Sequence, residues 1–288
     1  MRMSKLMETE QNQKETKQPE TTTTETDRAE NNGQQLTFGG HLEVLRKMLF
    51  RILVVTGMIA VAVFCFKDFT WQLLLAPSQW DFCTYRWIER IIRAMGSDFH
   101  FQAFHVDMIA TDLSSQFMRH ISTACYLGLL GASPYILFEL FRFISPALYE
   151  NERKYSVQVA LIIYLLFIFG VLMSYFILFP ISFRFLGTYS VSTQVISNIT
   201  LDSYISTFVS LTLVMGIVFQ LPVIAFFLGK MGVINAEILS KYRKHAFIVI
   251  MLAAAIITPP DLMTLILVTI PLCLLYEVSV RVVRHIRK

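Results

Sequence analysis

Long apolar runs restrict the fold of this 288-residue chain more than any other feature. A helix needs about 20 consecutive apolar residues to cross the hydrocarbon core of a bilayer. Runs that approach this length occur near residues 48–66, 121–141, 155–179 and 204–228, and a fifth apolar region covers 246–280. Hydrophobic residues make up 55% of the chain and charged residues 16%, which is far from the composition of a soluble domain. The sequence predicts an all-α polytopic membrane protein.

The fifth apolar region is interrupted by Thr258, Pro259, Pro260 and Asp261. Two successive prolines remove backbone donors and clash with the preceding helical turn. We therefore expect a hairpin of two helices of about 15 to 17 residues, or ~23 to 26 Å each, which is short against a hydrocarbon core of about 30 Å. The prediction is six transmembrane helices, of which the last two are short.

Positive charges next to the apolar runs orient the spans, because cations accumulate on the cytoplasmic side. The connection 180–203 carries only Arg184, and the double-proline turn carries no cation. Both are therefore expected outside, which gives an N-in/C-in topology. The flanking cations that define the inside are Arg46, Lys47, Arg142, Arg153, Lys154, Lys230, Lys241, Arg243, Lys244, Arg281, Arg284, Arg287 and Lys288.

The segment before the first apolar run is rich in Glu, Gln, Thr and Lys. Such a segment buries too little apolar area to fold. We expect a disordered cytoplasmic N-terminal tail over residues 1–38 and a six-helix transmembrane domain over residues 39–288. The first apolar run begins too far along the chain to be a cleaved signal sequence, so the tail is expected to be retained.

An amphipathic pattern covers residues 85–96 in the first outside loop. At helical spacing, one face carries apolar side chains and the other face carries charged ones. A helix lying on the outer leaflet and a helix packed as a cap over the bundle both fit this pattern. The apolar face consists of Trp87, Ile88, Ile91, Ile92 and Met95, the charged face consists of Arg86, Glu89, Arg90 and Arg93, and Gly96 suits the C-terminal end.

Signatures of catalysis are missing from the sequence. It contains no GxSxG, HExxH or GxxxxGK[ST] motif, and no histidine lies in the middle of a span as an intramembrane base. His100 and His105 lie near Asp107 and Asp112, but their spacing matches no zinc site. We expect a protein that is not an enzyme and needs no cofactor and no metal, which leaves binding and transport.

Ionisable side chains near the ends of the spans form two candidate local pairs. Glu139 and Arg142 are three residues apart, and Glu277 and Arg281 are four residues apart, so each pair can meet on one helix. Arg51 lies at a similar depth, where a long side chain reaches the headgroups. Simple surface pairing is the favoured interpretation of both pairs, and a functional role is the alternative.

Gln220 differs from these residues because it lies well inside the fourth span, two residues before Pro222. A proline frees a carbonyl one turn earlier, and a nearby amide can satisfy that carbonyl or reach a ligand. Repair of the proline kink and a role in binding or gating both remain open.

The turn from Phe143 to Lys154 brings Glu150 and Glu152 to a membrane boundary, beside the aromatic side chains of Phe143 and Tyr149. Charges interact more strongly there than on an open surface, because the effective dielectric is lower. Carboxylates and aromatic rings suit a guanidinium group, which takes bidentate hydrogen bonds and stacks on rings. The turn therefore predicts a ligand that carries arginine.

A purely structural role for this turn is the alternative. Glu152 can pair with Arg153, Lys154 or Arg46 and only fix the loop. The segment before the first span contributes Glu43 as well as Arg46, and topology places both on the same side of the membrane as the turn.

The motifs and their order resemble the TatC family, the polytopic core of the bacterial and plastid twin-arginine protein translocase. The resemblance covers the chain from about residue 41 to its end. It rests on His41-Leu-x-x-Leu45-Arg46-Lys47, Ala76-Pro77, Met108-Ile-Ala-Thr-Asp112, Phe143-Ile-Ser-Pro-Ala-Leu-Tyr149-x-x-Glu152-Arg153, Phe179-Pro180, Phe219-Gln220-x-Pro222 and Thr258-Pro-Pro-Asp261.

The resemblance implies a receptor for twin-arginine signal peptides of folded cargo in a bacterial inner (cytoplasmic) membrane. Glu152 corresponds to the main acceptor of the arginine pair, with Phe143 next to it. Gln220 corresponds to a mid-span position that contacts partner subunits or the signal peptide, Asp261 to the Asp of the Thr-Pro-Pro-Asp motif, and Pro77 to the loop proline. The implied partners are small single-span subunits of the TatA/TatB type and further copies of the chain, with no nucleic acid. The implied energy source is the proton-motive force.

One departure from the family pattern concerns a glutamate before the first span, which in the family joins the arginine site. The family usually begins His-Leu-x-Glu-Leu-Arg, whereas this chain has Val44 at the glutamate position and Glu43 one residue earlier. One residue turns a helix by about 100°. Whether Glu43 replaces the missing glutamate is open, and Glu150 can compensate.

Two other functions fit a polytopic membrane protein of this composition. A small-solute or proton-coupled secondary transporter would use Gln220 and Pro222 as a midplane site, but it calls for an internal repeat that the sequence does not display. A purely structural scaffold would tolerate charge changes at Glu152.

Overall fold

The computed structural model describes residues 38–96, 108–144, 156–190, 192, 198–258 and 261–286. The chain divides into two units, residues 1–49 and residues 50–288, and each is described by itself. The elements are α1 (Phe38–Cys65), α2 (Lys67–Leu75), a 3₁₀ turn (Ala76–Ser78), α3 (Cys83–Ala94), β1 (Met108–Ile109), α4 (Ser115–Ile144), α5 (Ser156–Met173), a π turn (Ser174–Leu178), α6 (Phe179–Thr188), β2 (Ile199–Thr200), α7 (Leu201–Val218), α8 (Leu221–Lys230), α9 (Ala236–Lys241), α10 (Arg243–Ile257) and α11 (Leu262–Ile286).

Within these ranges, five helical segments are long and apolar enough to cross a membrane. They are Leu42–Cys65, Ser115–Phe143, Gln158–Thr188, Leu201–Lys230 and Leu262–Ile286. Each contains or overlaps an apolar run of the sequence. An apolar run in a bilayer forms a helix because no water is present to satisfy its backbone groups. The prediction of an all-α polytopic membrane protein is confirmed.

The double-proline region ends one helix and begins another, as expected. α10 stops at Ile257, and the Thr258 hydroxyl then donates to the Ala254 carbonyl at 3.0 Å. α11 begins at Leu262 and packs against α10. α10 has 15 residues, or about 22 Å, and is shorter than the hydrocarbon core. α11 has 25 residues, so the prediction of two short helices is wrong for this one. The helix continues past the apolar region through Arg281 and Arg284, because arginine is a good helix former.

Two of the spans are interrupted where the sequence showed continuous apolar runs. The third span passes through the π turn before Pro180, and the fourth breaks at Phe219 and Gln220 before Pro222. Pro180 and Pro222 each lie in the first turn of the helix that follows, where no backbone donor is required.

Hydroxyl groups satisfy two of the carbonyls that prolines leave without a donor. Within α4, Pro134 cannot donate to the Leu130 carbonyl, and the Ser133 hydroxyl donates to it at 2.6 Å. Before α6, Pro180 cannot donate to the Phe176 carbonyl, and the Thr84 hydroxyl of α3 takes that place. In lipid no water is available for this repair, so side chains and neighbouring helices supply it.

The centre of the bundle is built on α7. Its buried side chains Tyr204, Phe208, Leu211 and Met215 pack against Phe179 and the other helices. The π turn contributes Ser174, whose hydroxyl donates to Thr212 at 3.2 Å.

Glycines bring α5 and α7 unusually close together. A Cβ added to Gly170 of α5 would lie 2.7 Å from the Met215 carbonyl oxygen, and one added to Gly216 of α7 would lie 2.7 Å from the Phe167 ring. Small residues drive such contacts in membranes, where lipid gives no hydrophobic force between helices.

The two ends of the bundle of residues 50–288 differ in construction. The end that carries α2, the 3₁₀ turn, α3, β1 and β2 is called the cap end, and the end that carries α9 is called the connector end. At the cap end, β1 pairs in parallel with β2, Met108 opposite Ile199 and Ile109 opposite Thr200. The Tyr204 hydroxyl donates to the Leu74 carbonyl at 2.8 Å and joins α7 to α2.

The predicted helix in the first outside loop is confirmed as α3, and Gly96 follows it with φ 85°. The burial of its side chains fits the cap interpretation for its first turn and leaves the interfacial interpretation open for the turns that follow. Its first turn is buried at Thr84 and Tyr85, as in a cap, whereas Trp87 and Ile91 are 64% and 58% exposed, as in an interfacial helix.

The close approach of α5 and α7 predicts that Gly170→Ala lowers the free energy of unfolding by about 1–3 kcal/mol, the usual cost of overpacking. The added methyl group would press on the backbone of α7, which cannot move aside without shifting the helix. Denaturant titration of the full chain in detergent measures the effect. The matched control is Gly57→Ala in α1, where a Cβ meets nothing within 4 Å. Equal stabilities of the two variants would contradict the prediction.

Candidate functional site

The last turn of α4, which precedes the predicted arginine acceptor in the sequence, lies near the connector end, where the Phe141 and Phe227 rings are 6.0 Å apart. Phe143 lies in the last turn of α4 and is half-buried. Tyr149, Glu150 and Glu152 lie outside the described residues, so the roles predicted for them remain predictions.

One turn before Phe143, α4 carries a buried carboxylate. Glu139 is 8% exposed, accepts a hydrogen bond from the Tyr135 hydroxyl at 3.0 Å, and lies 3.8 Å from the Arg51 guanidinium of α1. The predicted local pair with Arg142 is not formed, because Arg142 is exposed while Glu139 faces the bundle. A carboxylate at membrane depth requires partners, and here they come from the same helix face and from α1.

A second predicted pair is also replaced by contacts between helices. Glu277 of α11 pairs with Arg243 of α10 at 2.8 Å instead of with Arg281, because α10 and α11 pack side by side. The Tyr276 hydroxyl donates to the Leu239 carbonyl at 2.8 Å, and Arg284 donates to the Ser240 hydroxyl at 3.3 Å. The connector that contains α9 is therefore fastened to α11.

In the unit of residues 1–49, Glu43 pairs with Lys47 one turn further along α1, at 2.7 Å. Both side chains are 66% exposed, and Arg46 is exposed as well. An exposed pair of this kind contributes little stability, because water and salt screen both charges. The Glu43 carboxylate is thus accessible to another cation.

Gln220 lies at the break between α7 and α8. Its Nε2 donates to the Ile163 carbonyl of α5 at 3.1 Å, so it does not repair the carbonyl freed by Pro222. Its Oε1 is buried and accepts no hydrogen bond within the described ranges. The Gln220 side chain thus donates one hydrogen bond to α5, while its acceptor oxygen can still receive one from a ligand. Pro222 is buried in the next turn.

Two prolines predicted to have structural roles meet at one tyrosine. The Tyr85 hydroxyl of α3 donates to the Pro180 carbonyl at 2.8 Å and lies 3.3 Å from the Pro77 carbonyl. The Arg184 guanidinium lies 5.2 Å from the centre of the Tyr85 ring. Burial raises the pKa of Tyr85, against the opposing effect of Arg184, so the hydroxyl stays protonated as a donor. Sequence reasoning missed Tyr85, and its only signal was an aromatic residue in the first turn of an amphipathic helix.

Asp112 and Asp261 both precede helices. The Asp261 carboxylate accepts a hydrogen bond from the Thr264 backbone at 2.7 Å and so caps α11, while its other oxygen is buried and unpaired within residues 38–286 as described. Asp112 is exposed, and its backbone carbonyl accepts from Ser115 at 3.1 Å. Pro259 and Pro260 lie outside the described residues.

A metal site finds no support in the part of the chain that the structure describes, where no three His, Cys, Asp or Glu side chains gather. His100, His105 and Asp107 lie outside that part.

These features define a polytopic helical membrane protein with interrupted spans and with ionisable groups near both ends of the bundle. Residues 40–271 match the family model of Sec-independent protein translocase protein (TatC). The chain is 33% identical over 262 residues to the Sec-independent protein translocase protein TatC of Blattabacterium sp. subsp. Periplaneta americana, a match that covers 90% of this chain and 98% of that protein. It is 33% identical over 244 residues to the protein of the same name from Desulforapulum autotrophicum, covering 84% of this chain and 82% of that protein.

A solved structure described as "Crystal Structure of Twin Arginine Translocase Receptor- TatC" has the same fold, with a TM-score of 0.68 at 29% identity. It covers 86% of this chain and 100% of the solved chain. The protein belongs to the TatC family. Members of this family are components of a protein translocase in the membrane and are not enzymes.

The bond from Gln220 to α5 predicts that Gln220→Leu lowers the free energy of unfolding by about 0.5–1.5 kcal/mol, because the side chain keeps its approximate size and loses its donor. Denaturant titration in detergent measures the loss. The control is Gln158→Leu, which removes an exposed amide near the start of α5. A loss no larger than that of the control would show that the bond does not contribute.

The contact of Tyr85 with two carbonyls predicts that Tyr85→Phe loosens α3 without unfolding the bundle. The ring keeps its packing, whereas the Pro180 carbonyl loses a buried donor, at a cost of about 1–3 kcal/mol. Hydrogen exchange should become faster in α3 and remain unchanged in α7. Tyr189→Phe, at a tyrosine that is 62% exposed, is the matched control. Unchanged protection of α3 would contradict the assigned role.

Proposed function

We propose that this protein is the membrane-embedded receptor and core subunit of a twin-arginine translocase. It binds the Arg-Arg signal peptides of folded proteins at the connector end of the bundle. The observation that carries the proposal is its likeness, over 86% of the chain, to a solved structure described as a twin arginine translocase receptor. The Leu148-Tyr149-x-x-Glu152-Arg153 motif supports it.

Glu152 is the main acceptor for the arginine pair in this proposal. Two other carboxylates near the connector end are already engaged, since Glu139 is bound to Tyr135 and lies beside Arg51, and Glu277 is bound to Arg243. The acidic side chains of the turn are therefore the favoured acceptors of a guanidinium ligand, and the family motif indicates Glu152 among them. Phe143 supplies an aromatic ring near the beginning of the turn, and Tyr149 and Glu150 lie within it.

Glu43 is a further candidate acceptor on its own helix. Its pair with Lys47 is exposed, and a guanidinium group offers a carboxylate two parallel hydrogen bonds where an ammonium group offers a point charge. An arginine of the ligand can therefore replace Lys47 as the partner of the Glu43 carboxylate, because its geometry matches the carboxylate better. Arg46, next to this pair, keeps the segment cationic and suited to the cytoplasmic surface.

The apolar part of the signal peptide, or a small single-span partner of the TatA/TatB type, contacts the bundle near Gln220. The support for this assignment is the Oε1 atom of Gln220, which is buried and accepts no bond in the described part of the bundle. An unpaired acceptor in an apolar surrounding favours any ligand that brings a donor. Pro222 has no backbone N–H, so it cannot extend the hydrogen bonding of α7 across the break into α8.

The topology proposed for this function has six spans, with both termini in the cytoplasm of a bacterial cell and the chain in the inner membrane. α10 is then the fifth span, short enough to require local thinning of the bilayer. The cations at the connector end support this orientation. Several copies assemble with partner subunits, and the proton-motive force drives export.

A secondary transporter is the alternative class of protein. Broken helices in two matching halves are typical of such proteins. Among the described residues, the interrupted spans are the neighbouring α5–α6 and α7–α8 segments, so we do not adopt this function.

Export of a folded reporter tests the receptor function. With an Arg-Arg signal peptide, Glu152→Gln should reduce export about tenfold or more, since a hydrogen bond to a charged group contributes ~1.5–3 kcal/mol. Replacing Arg-Arg with Lys-Lys should reduce export through the wild-type protein and add little to the defect of Glu152→Gln. The same comparison with Glu43→Gln tells whether Glu43 belongs to the site.

The matched control is Glu237→Gln, which removes an exposed carboxylate from α9 in the connector. It should export at the wild-type level. Equal export for all combinations of signal peptide and variant would refute the receptor function, provided that the variants are present in the membrane in equal amounts.

A further inference from the structure

An apolar groove of about 630 Å³ runs between α3 and the third span at the cap end. One wall consists of Trp87, Ile88 and Ile91, and the other wall consists of Phe176, Ile177 and Ile181. Its volume is within the ~300–1,000 Å³ that is typical of sites for small organic ligands. The cap end therefore offers a ready-made apolar site outside the predicted receptor surface.

The groove opens toward the bilayer. Phe176 and Ile177 belong to the apolar span Gln158–Thr188 and are 39% and 43% exposed, and on the other wall Trp87 is 64% exposed. α3 is amphipathic, and a helix of this kind at a bilayer turns its apolar side to hydrocarbon and its charged side to headgroups and water. An occupant of this groove thus has an apolar chain at the depth of the span and a polar end beside α3.

The hydroxyl group that borders the groove already has a hydrogen-bond partner within the protein. The Thr84 hydroxyl, which borders the groove, donates to the Phe176 carbonyl. What remains along both walls is hydrocarbon and the Cys83 thiol, which is only a weak hydrogen-bond donor. This surface suits a flexible apolar chain, whereas a peptide would have to bury backbone groups there without partners.

The charged side of α3 determines the polar end of the occupant. Arg86, Arg90 and Arg93 follow one another along the helix at spacings of four and three residues, and like charges at these spacings repel. Arg86 is neutralised by Asp81 at 3.2 Å. Arg90 is exposed and makes no ion pair within the described residues, and it lies on the edge of α3 next to Trp87.

We propose that the groove binds one acyl chain of an anionic phospholipid of the phosphatidylglycerol class, with the lipid phosphate on the Arg90 guanidinium. The groove takes the chain because its walls are apolar, and Arg90 selects the anionic headgroup because its charge has no counterion in the described structure. Bound lipid would hold the exposed turns of α3 on the membrane, beyond the first turn that Thr84 and Tyr85 already fasten. The proposal depends on the chain spanning a membrane and is independent of signal-peptide binding.

Fluorescence quenching tests this lipid site. The chain has three tryptophans, so the double substitution Trp71→Phe and Trp80→Phe leaves Trp87, on the groove wall, as the only emitter. The full chain is reconstituted in phosphatidylcholine vesicles that contain phosphatidylglycerol, with bromine on the acyl chains of either one lipid or the other. At equal mole fraction, brominated phosphatidylglycerol should quench Trp87 more strongly than brominated phosphatidylcholine.

Two variants separate the parts of the site. Arg90→Gln should lower the relative binding constant for phosphatidylglycerol about fivefold, as expected for one cation at an anionic membrane surface. Ile181→Phe fills part of the groove and should weaken quenching by both lipids. The control is Lys67→Gln, which removes another exposed cation of the cap end away from α3 and should change nothing.

Two results would overturn the proposal. Equal quenching by the two brominated lipids, unaffected by Arg90→Gln, would mean that Trp87 contacts only ordinary boundary lipid. Absence of quenching by either lipid would mean that a second copy of the chain or another protein covers the groove. Circular dichroism of each variant confirms that the helices are intact before the lipids are compared.

Discussion

A proline inside a membrane-spanning helix leaves a carbonyl without its donor at a depth where no water can replace it. The cap end of this protein is organised around one such position. Pro180 leaves the Phe176 carbonyl free, the Thr84 hydroxyl occupies it, and the Tyr85 hydroxyl binds the carbonyl of Pro180 itself. The first turn of α3 is thus fastened by the same backbone groups that the proline disturbs. A backbone defect in one span becomes the attachment point of the amphipathic helix.

This attachment explains why the first turn of α3 is buried and its later turns are exposed. Thr84 and Tyr85 are buried because their hydroxyls satisfy backbone carbonyls, whereas Trp87 and Ile91 have no such anchor and remain exposed. The remaining turns of α3 need an apolar medium, which the bilayer supplies. The apolar groove lies between these later turns and the third span.

The sequence allowed prediction of those features that depend on neighbours along the chain. Apolar runs predicted the spans, Pro259 and Pro260 predicted the end of α10, and the amphipathic helical pattern of residues 85–96 predicted α3. Partners on other helices were not predictable. Spacing suggested that Glu139 pairs with Arg142 and Glu277 with Arg281, but the structure pairs Glu139 with Arg51 and Glu277 with Arg243. Which helix lies beside which is decided by packing, for example at Gly170 and Gly216, and no spacing rule contains that information. The predicted site in the turn after Phe143 lies outside the described residues, so for its acceptors the sequence remains the guide.

The polar contacts of the two ends differ in how easily they can exchange partners. At the cap end, Arg119 and Asp202 form an ion pair whose side chains are only 29% and 28% exposed, and Ser115 and Ser206 bind the same two groups. Such a closed network gives an incoming charge little to replace, because every group already has several partners. At the connector end, Arg243 and Glu277 are 46% and 38% exposed. Exposed pairs of this kind are screened by water and contribute little, so charged groups at this end are more accessible to an incoming ligand than those of the cap end. Recognition of a mobile, arginine-bearing segment is therefore physically suited to the connector end, whereas the cap end is suited to holding a lipid in one place.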